Sequence, residues 1–360
     1  MKKNKVLFVC PKYDESRISG TSVRPIQMLQ ALKDVYGPEN VVVAVGESSD
    51  RRKVYQNLDI DELDFVYMEN STMPLALTDV DHVPRNLLLE YRFFSKCRAR
   101  KVPVFVFYRD IRWRFDFYRS KNWLFKRLFA YIFYILELAI YRLVGARLCM
   151  PSCDMADYVP LFSRSNVTEL PPGSNCEVAI ERSYVEGEKF QLLYVGGVLP
   201  PVYDLTKMLQ IVSLSKHVEF VIVCRKAEWD YVLANKTYAL LDNVKVVHES
   251  GNALSKRFTS AHALLDFRTG VEYLNFSMPI KIFESLGTGL PVICNGETAF
   301  GRYVRSKQVG WVYSDLQAII EGVEKLVCDP EGYRIVSRTT YEHSKSVTWT
   351  SRIETIRDLI

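Results

Sequence analysis

The chain has 360 residues, of which 48% are hydrophobic and 25% are charged. This length suits two domains of ordinary size, and the composition is that of a globular protein, which excludes wholesale disorder. The formal net charge is only +5, but the segment 92–147 alone has fourteen Lys or Arg residues against three acidic ones, which indicates a local basic surface.

The first half of the chain alternates short apolar runs with helical patterns. Helices are predicted at 22–36 and 86–98. Strands are predicted at 6–10, 41–45, 65–68, 102–108 and 147–151. Short apolar strands separated by helices are typical of a parallel sheet that is covered on both faces.

A polar stretch that contains Pro-Pro-Gly follows, and then the pattern starts again with a further helix at 205–214. Strands in this half are predicted at 191–195, 218–224, 244–248, 263–267 and 290–294. The sequence therefore predicts an α/β protein of two tandem, doubly wound Rossmann-like domains at 1–170 and 191–346, joined by a linker at 171–190. Ligands of such folds bind at the C-terminal ends of the strands, and a cleft between two domains is the natural site.

The eight cysteines form no Cys-x-x-Cys pair and have no spacing that would suit a metal, and several fall in apolar strands. They indicate the reduced, buried thiols of a cytosolic protein. The apolar run after the basic N-terminus is about six residues long, which is too short for the core of a signal peptide. We therefore expect a cytoplasmic protein.

The segment FSMPIKIFESLGTGLPVICN, at 276–295, predicts a loop, a short helix, a glycine stop and a buried strand. Pro279 suits the first turn of a helix, and Gly289 suits the left-handed residue after its end. Lys281 and Glu284 are three residues apart and are neighbours on one helix face. Either the helix start and Lys281 hold a diphosphate while Glu284 accepts hydrogen bonds from sugar hydroxyls, or the two side chains form an ordinary surface ion pair.

This segment carries a resemblance to a known family. The residues concerned are Ser277, Pro279, Lys281, Phe283, Glu284, Gly289, Pro291 and Val292. Their pattern, a Pro-x-Lys-x-x-Glu helix followed by Gly-x-Pro-Val-Ile, resembles the donor-site signature of the retaining family four of GT-B glycosyltransferases. The segments 192–197 and 170–173 resemble the glycine turn that opens that family's C-terminal domain and its interdomain element. The C-terminal segment 347–360 resembles the helix that crosses back to the N-terminal domain.

The resemblance implies a GT-B fold, with a nucleotide-diphospho-sugar donor bound in the C-terminal domain and an acceptor in the N-terminal one. The donor is expected to be a UDP- or GDP-sugar, with no metal and no other cofactor. The candidate donor-binding residues are Gly20, Gly197, Arg225, Lys226, Glu272, Ser277, Pro279, Ile280, Lys281 and Glu284. Glu284 matches the second glutamate of the family's Glu-x7-Glu motif, which implies contact with the ribose.

Two features depart from the family pattern. The position of the first motif glutamate is occupied by Phe276, and Glu272 either substitutes for it or is a solvated loop carboxylate. The family's basic residues are also missing directly after Gly197. Arg225 and Lys226, which follow the next strand, either supply that charge to the diphosphate or are ordinary loop bases.

Two further candidates lie in the N-terminal half. Gly20 is expected in the loop before the first helix, where N–H groups could approach a phosphate, although a turn leading into a helix is an equal interpretation. Asp110 follows a predicted strand and is flanked by Arg109 and Arg112, which favour its ionised form. We predict that Asp110 orients or deprotonates an acceptor hydroxyl as the catalytic residue, the alternative being a structural Asp–Arg pair. The Asp-x-Asp triplets at 59–61 and 79–81 follow no convincing buried strand and carry little weight as metal sites.

The segment 123–144 has 18 apolar residues out of 22, interrupted by four charges, and so it does not predict a membrane span. It predicts a helix that either lies on an anionic membrane surface or packs into the core. The candidate membrane or acceptor face comprises Arg112, Arg114, Trp123, Lys126 and Arg127. No nucleic-acid-binding motif is present, so we expect no nucleic-acid partner.

The sequence thus predicts a glycosyltransferase that moves a hexose-type sugar to a lipid-linked or other saccharide acceptor in surface polysaccharide or glycoconjugate synthesis, as a peripheral protein at the inner face of the membrane. The resemblance implies retention of configuration, with the donor phosphate taking up the acceptor proton. The alternative is a non-catalytic sugar-nucleotide-binding or partner subunit with a degenerate site, which Phe276 favours. A third interpretation is a soluble enzyme of the same fold that acts on a small molecule.

Overall fold

The computed structural model of the chain describes residues 4–11, 20–115, 124–176, 178–215, 217–239 and 241–360, and for 20–22 and 124–127 it describes the backbone alone. The chain forms two compact units. Unit 1 comprises Met1–Pro172 together with Trp349–Ile360, and unit 2 comprises Gly173–Thr348.

Unit 1 is built, within its described residues, on a parallel sheet of six strands. The strands are β1 (Lys5–Pro11), β2 (Val41–Gly46), β3 (Leu63–Glu69), β4 (Val104–Phe107), β5 (Arg147–Met150) and β6 (Val167–Glu169). The helices are α1 (Gly20–Tyr36), α2 (Ser48–Asn57), α3 (Leu89–Ala99), α4 (Leu124–Val144) and the C-terminal α12 (Trp349–Arg357). The lateral order is β2-β1-β3-β4-β5-β6, so the chain reverses its direction across the sheet between β1 and β3.

Unit 2 has a second parallel sheet of six strands among its described residues. Its strands are β7 (Phe190–Val195), β8 (Val218–Val223), β9 (Val244–Val247), β10 (Ala263–Asp266), β11 (Val292–Asn295) and β12 (Gly310–Tyr313). Its helices are α5 (Thr206–Leu214), α6 (Lys226–Ala234), α7 (Gly251–Ser260), α8 (Ile280–Gly287), α9 (Ala299–Lys307), α10 (Leu316–Val327) and α11 (Pro330–Ser344). The order β12-β11-β10-β7-β8-β9 places the reversal between β7 and β10.

The predicted fold class is confirmed, since each unit has a parallel sheet with helices, as a Rossmann-like domain requires. The strands are buried apolar runs because helices cover both faces of each sheet. In β1, for example, every residue from Val6 to Pro11 is buried. The ten predicted strands are all present, with ends shifted by up to two residues. Strands β6 and β12 and helices such as α2, α6 and α7 were not predicted.

The predicted linker at 171–190 needs a correction, because the chain belongs to compact unit 2 from Gly173 onward. The physical reason is Arg182, whose side chain is buried. Its guanidinium donates hydrogen bonds to the carbonyl oxygens of Phe258 (2.7 Å), Thr288 (2.9 Å) and Ala261 (3.1 Å). A fourth bond, to the carbonyl of Ile180, closes the turn within the segment itself. This polar stretch is therefore a packed part of unit 2.

The carbonyls that surround Arg182 lie at the C-terminal ends of two helices, α7 and α8. The negative ends of both helix dipoles therefore face the guanidinium and stabilise its charge. Burial still lowers the pKa of Arg182 to about 10, which leaves the group charged at neutral pH. In the described part of the chain it has no carboxylate partner, so backbone carbonyls and the more distant hydroxyl of Thr288, at 3.4 Å, compensate the ion.

We expect Arg182→Met to destabilise unit 2 by about 3 kcal/mol or more, because the buried carbonyls of Phe258 and Ala261 would lose the guanidinium donor. The carbonyl of Thr288 would also lose it but would keep the N–H of Ile180. Thermal unfolding measures the loss, and hydrogen exchange of peptides from 178–190 and α8 locates it. Arg334→Met is the matched control, since that side chain is 58% exposed and forms a surface ion pair with Glu331. Equal effects of the two substitutions would contradict this account.

Helix α4, which covers most of the strongly apolar segment, carries one acidic residue, Glu137, and its side chain is buried. Its carboxylate accepts hydrogen bonds from Asn70 Nδ2 at 2.7 Å and from the backbone N–H of Leu75 at 2.5 Å. Burial raises the pKa of Glu137 to about 7 despite these two bonds. The acid thus ties the helix to the loop after β3. Among the helices in the described residues, none has the length and apolar character to cross a bilayer.

The stability of unit 1 is expected to fall as pH rises through the range set by Glu137. The pKa of Glu137 rises on folding from 4.5 to about 7, so the folded state binds more protons than the unfolded state between these values. Relative to Glu137→Gln, the wild type should lose roughly 2–3 kcal/mol between pH 5 and pH 8. Thermal unfolding at a series of pH values tests this, with Glu342→Gln, at an exposed position, as the control for net charge. Parallel profiles of wild type and Glu137→Gln would show that this carboxyl does not titrate as described.

Candidate functional site

The carboxyl edge of the unit 2 sheet gathers most of the predicted donor-binding residues. Gly197 follows β7, Arg225 and Lys226 follow β8, and Glu272 follows β10. Helix α8 also starts at this edge, because it connects the end of β10 to the start of the parallel strand β11. The reversal of strand order between β7 and β10 makes this edge the expected ligand crevice of a doubly wound sheet.

Helix α8 begins directly after Pro279, which is extended at φ −67° and ψ 135° and occupies the cap position, one residue before the predicted first turn. The helix ends at Gly287, and Gly289 has φ +75°, which confirms the predicted left-handed stop. Lys281 Nζ and Glu284 Oε2 are 2.9 Å apart, and both side chains are about one-third exposed. The pair therefore has the geometry of an i,i+3 ion pair and remains accessible from solvent.

The residues before α8 divide into buried and exposed positions. Phe276 is buried and packs edge-on against the ring of Tyr273, with ring centroids 5.2 Å apart. The position of the first motif glutamate is thus part of the apolar core. Glu272 is exposed at the start of a short turn, and Ser277 ends that turn. Glu272 is therefore the one exposed carboxylate in residues 271–279.

The glycine turn after β7 is held by neighbouring side chains. The carbonyl of Gly197 accepts a hydrogen bond from the Tyr194 hydroxyl at 2.7 Å, and a Cβ at Gly197 would lie only 2.9 Å from the ring of Tyr203. Glu228, on α6, accepts from the N–H of Val198 at 3.1 Å. The absence of a side chain at Gly197 thus permits this close packing of the turn.

Both predicted bases after β8 form ion pairs. Arg225 contacts Glu228 at 2.7 Å, and Lys226 contacts Asp230 at 3.0 Å. Each base is about 70% exposed, so the pairs are surface pairs of small stabilising effect. A bound diphosphate could compete for either base at little cost.

Sequence reasoning missed a buried ion pair at the end of β10. Asp266 and Arg268 form two parallel hydrogen bonds, Nε to Oδ1 and Nη2 to Oδ2, each 2.6 Å long. The guanidinium also lies over the ring of Tyr203 at 5.4 Å and approaches the carbonyl of Val202. The pair therefore joins the end of β10 to the loop that follows Gly197. The signal in the sequence was a charged Asp-Phe-Arg directly after an apolar strand.

Arg268→Met should destabilise the protein by about 3 kcal/mol, because it leaves the carboxylate of Asp266 buried without a partner. The double variant Asp266→Leu with Arg268→Met removes both charges and should recover most of that loss. Thermal unfolding of the two single variants and the double variant measures the coupling, and Arg338→Met, at an exposed pair, is the control. A double variant no more stable than Arg268→Met would mean that the unpaired charge is not the cause.

The corresponding edge of unit 1 has its own buried charges, which the sequence did not predict. Glu69, the last residue of β3, accepts hydrogen bonds from Arg24 Nε at 3.0 Å and from the Tyr67 hydroxyl at 2.5 Å. The guanidinium of Arg24 stacks on the ring of Phe107 at 3.3 Å, and Arg109 reaches Glu69 at 3.4 Å. Coulombic attraction to Tyr67 and Glu69 raises the pKa of Arg24 against the effect of burial. This cluster lies where the strand order of unit 1 reverses.

Asp110 lies just beyond β4, as predicted, and its side chain is 10% exposed. Its carboxylate contacts Arg112 Nε at 3.3 Å and accepts from the Arg112 N–H at 3.0 Å, whereas Arg109 pairs with Glu69. Of the other predicted positions, Arg112 and Arg114 form an exposed short turn. Gly20 is the first residue of α1 and not part of the loop before it. Trp123 and the side chains of Lys126 and Arg127 lie outside the described residues.

The two Asp-x-Asp triplets have structural roles. Asp59 accepts from the N–H of Asp61 and caps a short turn, and Asp79 accepts from the N–H and hydroxyl of Ser48. Asp81 pairs with Arg85. In the part of the chain that the structure describes, no group of three or more Cys, His, Asp or Glu side chains could hold a metal ion.

Several solved structures have the same fold over almost their whole length. HepE from Anabaena, in complex with UDP, matches with a TM-score of 0.63 and 12% identity, over 99% of each chain. Sucrose-phosphate synthase from Thermosynechococcus elongatus matches with a TM-score of 0.62 and 12% identity, over 99% of this chain and 98% of the other. WaaG, a glycosyltransferase involved in lipopolysaccharide biosynthesis, matches with a TM-score of 0.58 and 14% identity, over 99% of each chain. In sequence, the chain matches no family model and no curated protein.

At these identities the likeness shows the fold alone. The fold is that of GT-B glycosyltransferases, as the sequence predicted, while membership of family four stays a prediction.

Proposed function

We propose that the chain is a glycosyltransferase that uses a nucleotide-diphospho-sugar, and that it belongs to the retaining family four. The observation that carries this proposal is the placement of Lys281 and Glu284. Both are accessible on a helix that starts at the carboxyl edge of the unit 2 sheet, in a GT-B fold. The solved structure of HepE, which has this fold, contains UDP, and this supports a UDP-sugar as the first donor to test.

In this proposal the first N–H groups of α8 and the ammonium of Lys281 bind the diphosphate. The helix start has a partial positive charge and the ammonium a full one, and both attract the anion. Glu284 accepts hydrogen bonds from the ribose hydroxyls. Lys281 would exchange its contact with Glu284 for the phosphate oxygens. Arg225 and Lys226 add charge from the next strand end, and Glu272 contacts the sugar. We expect no metal and no other cofactor in this reaction.

The acceptor is proposed to bind unit 1 with a hydroxyl close to Asp110, whose carboxylate accepts a hydrogen bond and orients it. Transfer forms the bond from the acceptor oxygen to the anomeric carbon and breaks the bond from that carbon to the phosphate oxygen. The departing phosphate takes up the acceptor proton. The acceptor oxygen joins the anomeric carbon on the face that the phosphate leaves, so the configuration is retained. Asp110 therefore acts by orientation, and Arg112 holds its carboxylate in place.

We also propose that the acceptor is a lipid-linked glycan and that the protein works at the inner face of the membrane in surface polysaccharide or glycoconjugate synthesis. The apolar helix α4 and the excess of basic residues in the segment 92–147 support a membrane location. WaaG, which shares the fold, is involved in lipopolysaccharide biosynthesis, and this is consistent with an acceptor of that kind.

The competing function is a non-catalytic sugar-nucleotide-binding or partner subunit. The buried Phe276 favours it, since no carboxylate occupies the first motif position. The surface pairing of Arg225 and Lys226 with acidic neighbours favours it as well. A subunit of this kind would bind the donor without turnover, so binding and transfer must be measured separately.

The first test is a thermal-shift panel of UDP-, GDP-, ADP- and dTDP-sugars with wild type and Glu284→Ala. A donor at about 100 times its dissociation constant should stabilise the wild type by roughly 2.7 kcal/mol and should stabilise Glu284→Ala far less. Glu331→Ala is the matched control, because it also removes one acid of a surface i,i+3 ion pair, with Arg334. If no sugar nucleotide shifts the wild type, or if Glu284→Ala responds as the wild type does, the proposed donor site is wrong. A shift without transfer to any saccharide or lipid-linked acceptor would favour the non-catalytic function.

A further inference from the structure

Helix α4 is apolar on two opposite faces. One face packs into unit 1 through buried residues such as Phe133, Leu138 and Tyr141. The other face presents Leu128, Ile132, Leu136 and Leu143, which are between 38% and 64% exposed. These four positions recur at helical spacing along one side of the helix. An outward stripe of large apolar side chains is not explained by the packing of unit 1.

The stripe continues onto the start of the neighbouring helix α3. Leu87 and Leu136 line the same shallow groove between the two elements, and Arg98 on α3 donates to the carbonyl of Leu143. Leu87 and Leu88 are both exposed. We call this surface the docking face, and it comprises Leu87, Leu88, Leu128, Ile132, Leu136 and Leu143. A contiguous apolar surface that spans two elements marks an interaction site.

The charges of the two helices are sorted by sign. The acids that the structure describes on α3 and α4 are Glu90 and Glu137, and both are buried. Arg92, Lys96 and Arg142 are exposed, and none of their side chains has an ion pair or hydrogen bond to a described residue. The outward sides of these helices thus combine apolar and basic groups without an accessible acid.

We propose that the docking face binds the surface of a bilayer that contains anionic lipids. Apolar helix faces with basic residues beside them insert to the boundary of headgroups and acyl chains, and the bases attract anionic headgroups. Tyr91 and Tyr131, both partly exposed, suit the interface because each has an apolar ring and a polar tip. The inference deepens the proposed function, since it names the surface that holds the protein at the membrane of its acceptor.

The test is co-sedimentation with vesicles of phosphatidylcholine alone or mixed with phosphatidylglycerol. Wild type should bind the mixed vesicles, more weakly at high salt. The double variant Leu128→Glu with Ile132→Glu should bind at least about tenfold more weakly, because it places two charges in the inserted stripe. The matched control is Leu214→Glu with Ile335→Glu in unit 2, where both leucine and isoleucine are 59% exposed, close to the 61% and 56% of the test positions. The control should bind as the wild type does.

A second variant tests the charges without touching the apolar stripe. Replacing Arg92, Lys96 and Arg142 by Ala should weaken binding to mixed vesicles by about fivefold for each base removed. The control replaces three exposed bases of unit 2 by Ala, namely Lys245, Lys256 and Lys307. All variants should keep the wild-type unfolding temperature, since the substituted side chains are exposed.

Failure of wild type to bind mixed vesicles, or equal loss in test and control variants, would overturn the proposal. So would a wild-type dimer in solution that Leu128→Glu with Ile132→Glu converts to a monomer, since the face would then join two copies of the chain. The sugar-nucleotide thermal shift of the double variant separates this inference from the proposed function. A normal sugar-nucleotide shift without vesicle binding by the wild type would support the donor site and refute the docking face. Vesicle binding without any sugar-nucleotide shift would support the docking face and refute the donor site.

Discussion

The packing around the C-terminal end of α8 depends on the buried cation Arg182. Arg182 comes from a polar stretch and lies where the C-terminal ends of α7 and α8 converge, so its guanidinium meets the negative ends of two helix dipoles. The contact holds the C-terminal end of α8, the helix that carries Lys281 in its first turn and Glu284 one turn later. It also brings the carbonyl of Ile180 to within 2.6 Å of where a Cβ on Gly289 would lie, so that only glycine fits there. A residue about one hundred positions before α8 in the sequence therefore holds the C-terminal end of that helix.

Buried charge recurs where strands end. Arg24 with Glu69 lies at the carboxyl edge of the unit 1 sheet, and Arg268 with Asp266 lies at that of unit 2. The free energy needed to desolvate the two charged groups offsets much of the stabilisation from their attraction. A contribution to stability therefore does not by itself explain these pairs. The first pair instead joins α1 to the end of β3, and the second joins the end of β10 to the residues that follow it; both lie where strand order reverses. The edges at which a doubly wound fold builds its ligand site thus each contain a buried ion pair.

The sequence predicts best the elements whose packing requires a regular pattern of apolar residues. Strands buried on both faces are continuous apolar runs, so their positions follow from the sequence to within two residues. Helix α2, with the sequence SSDRRKVYQN, has no apolar period, and it is held by Arg51, which is fully buried and bonded to Glu90 and to the carbonyl of Gly46. The proximity of Lys281 to Glu284 follows from their spacing of three residues in a helix. The burial of Arg182 could not be predicted, because its partners are backbone carbonyls that no side-chain pattern records.

The apolar segment 123–144 left two interpretations, core helix or membrane helix, and α4 has one apolar face buried in unit 1 and an exposed apolar stripe on the other. The distribution of charge is the observation that supports the proposed membrane contact. A helix that only packed in a core could place its acid on the solvent side at little cost, yet Glu137 points inward and is bonded to Asn70 and Leu75 at the expense of a raised pKa. The described outer surface of α4 is left with Arg142 as its charge and no acid. Such a surface repels neither apolar lipid nor anionic headgroups. The free-energy cost of keeping an acid away from it is the burial of the Glu137 carboxyl.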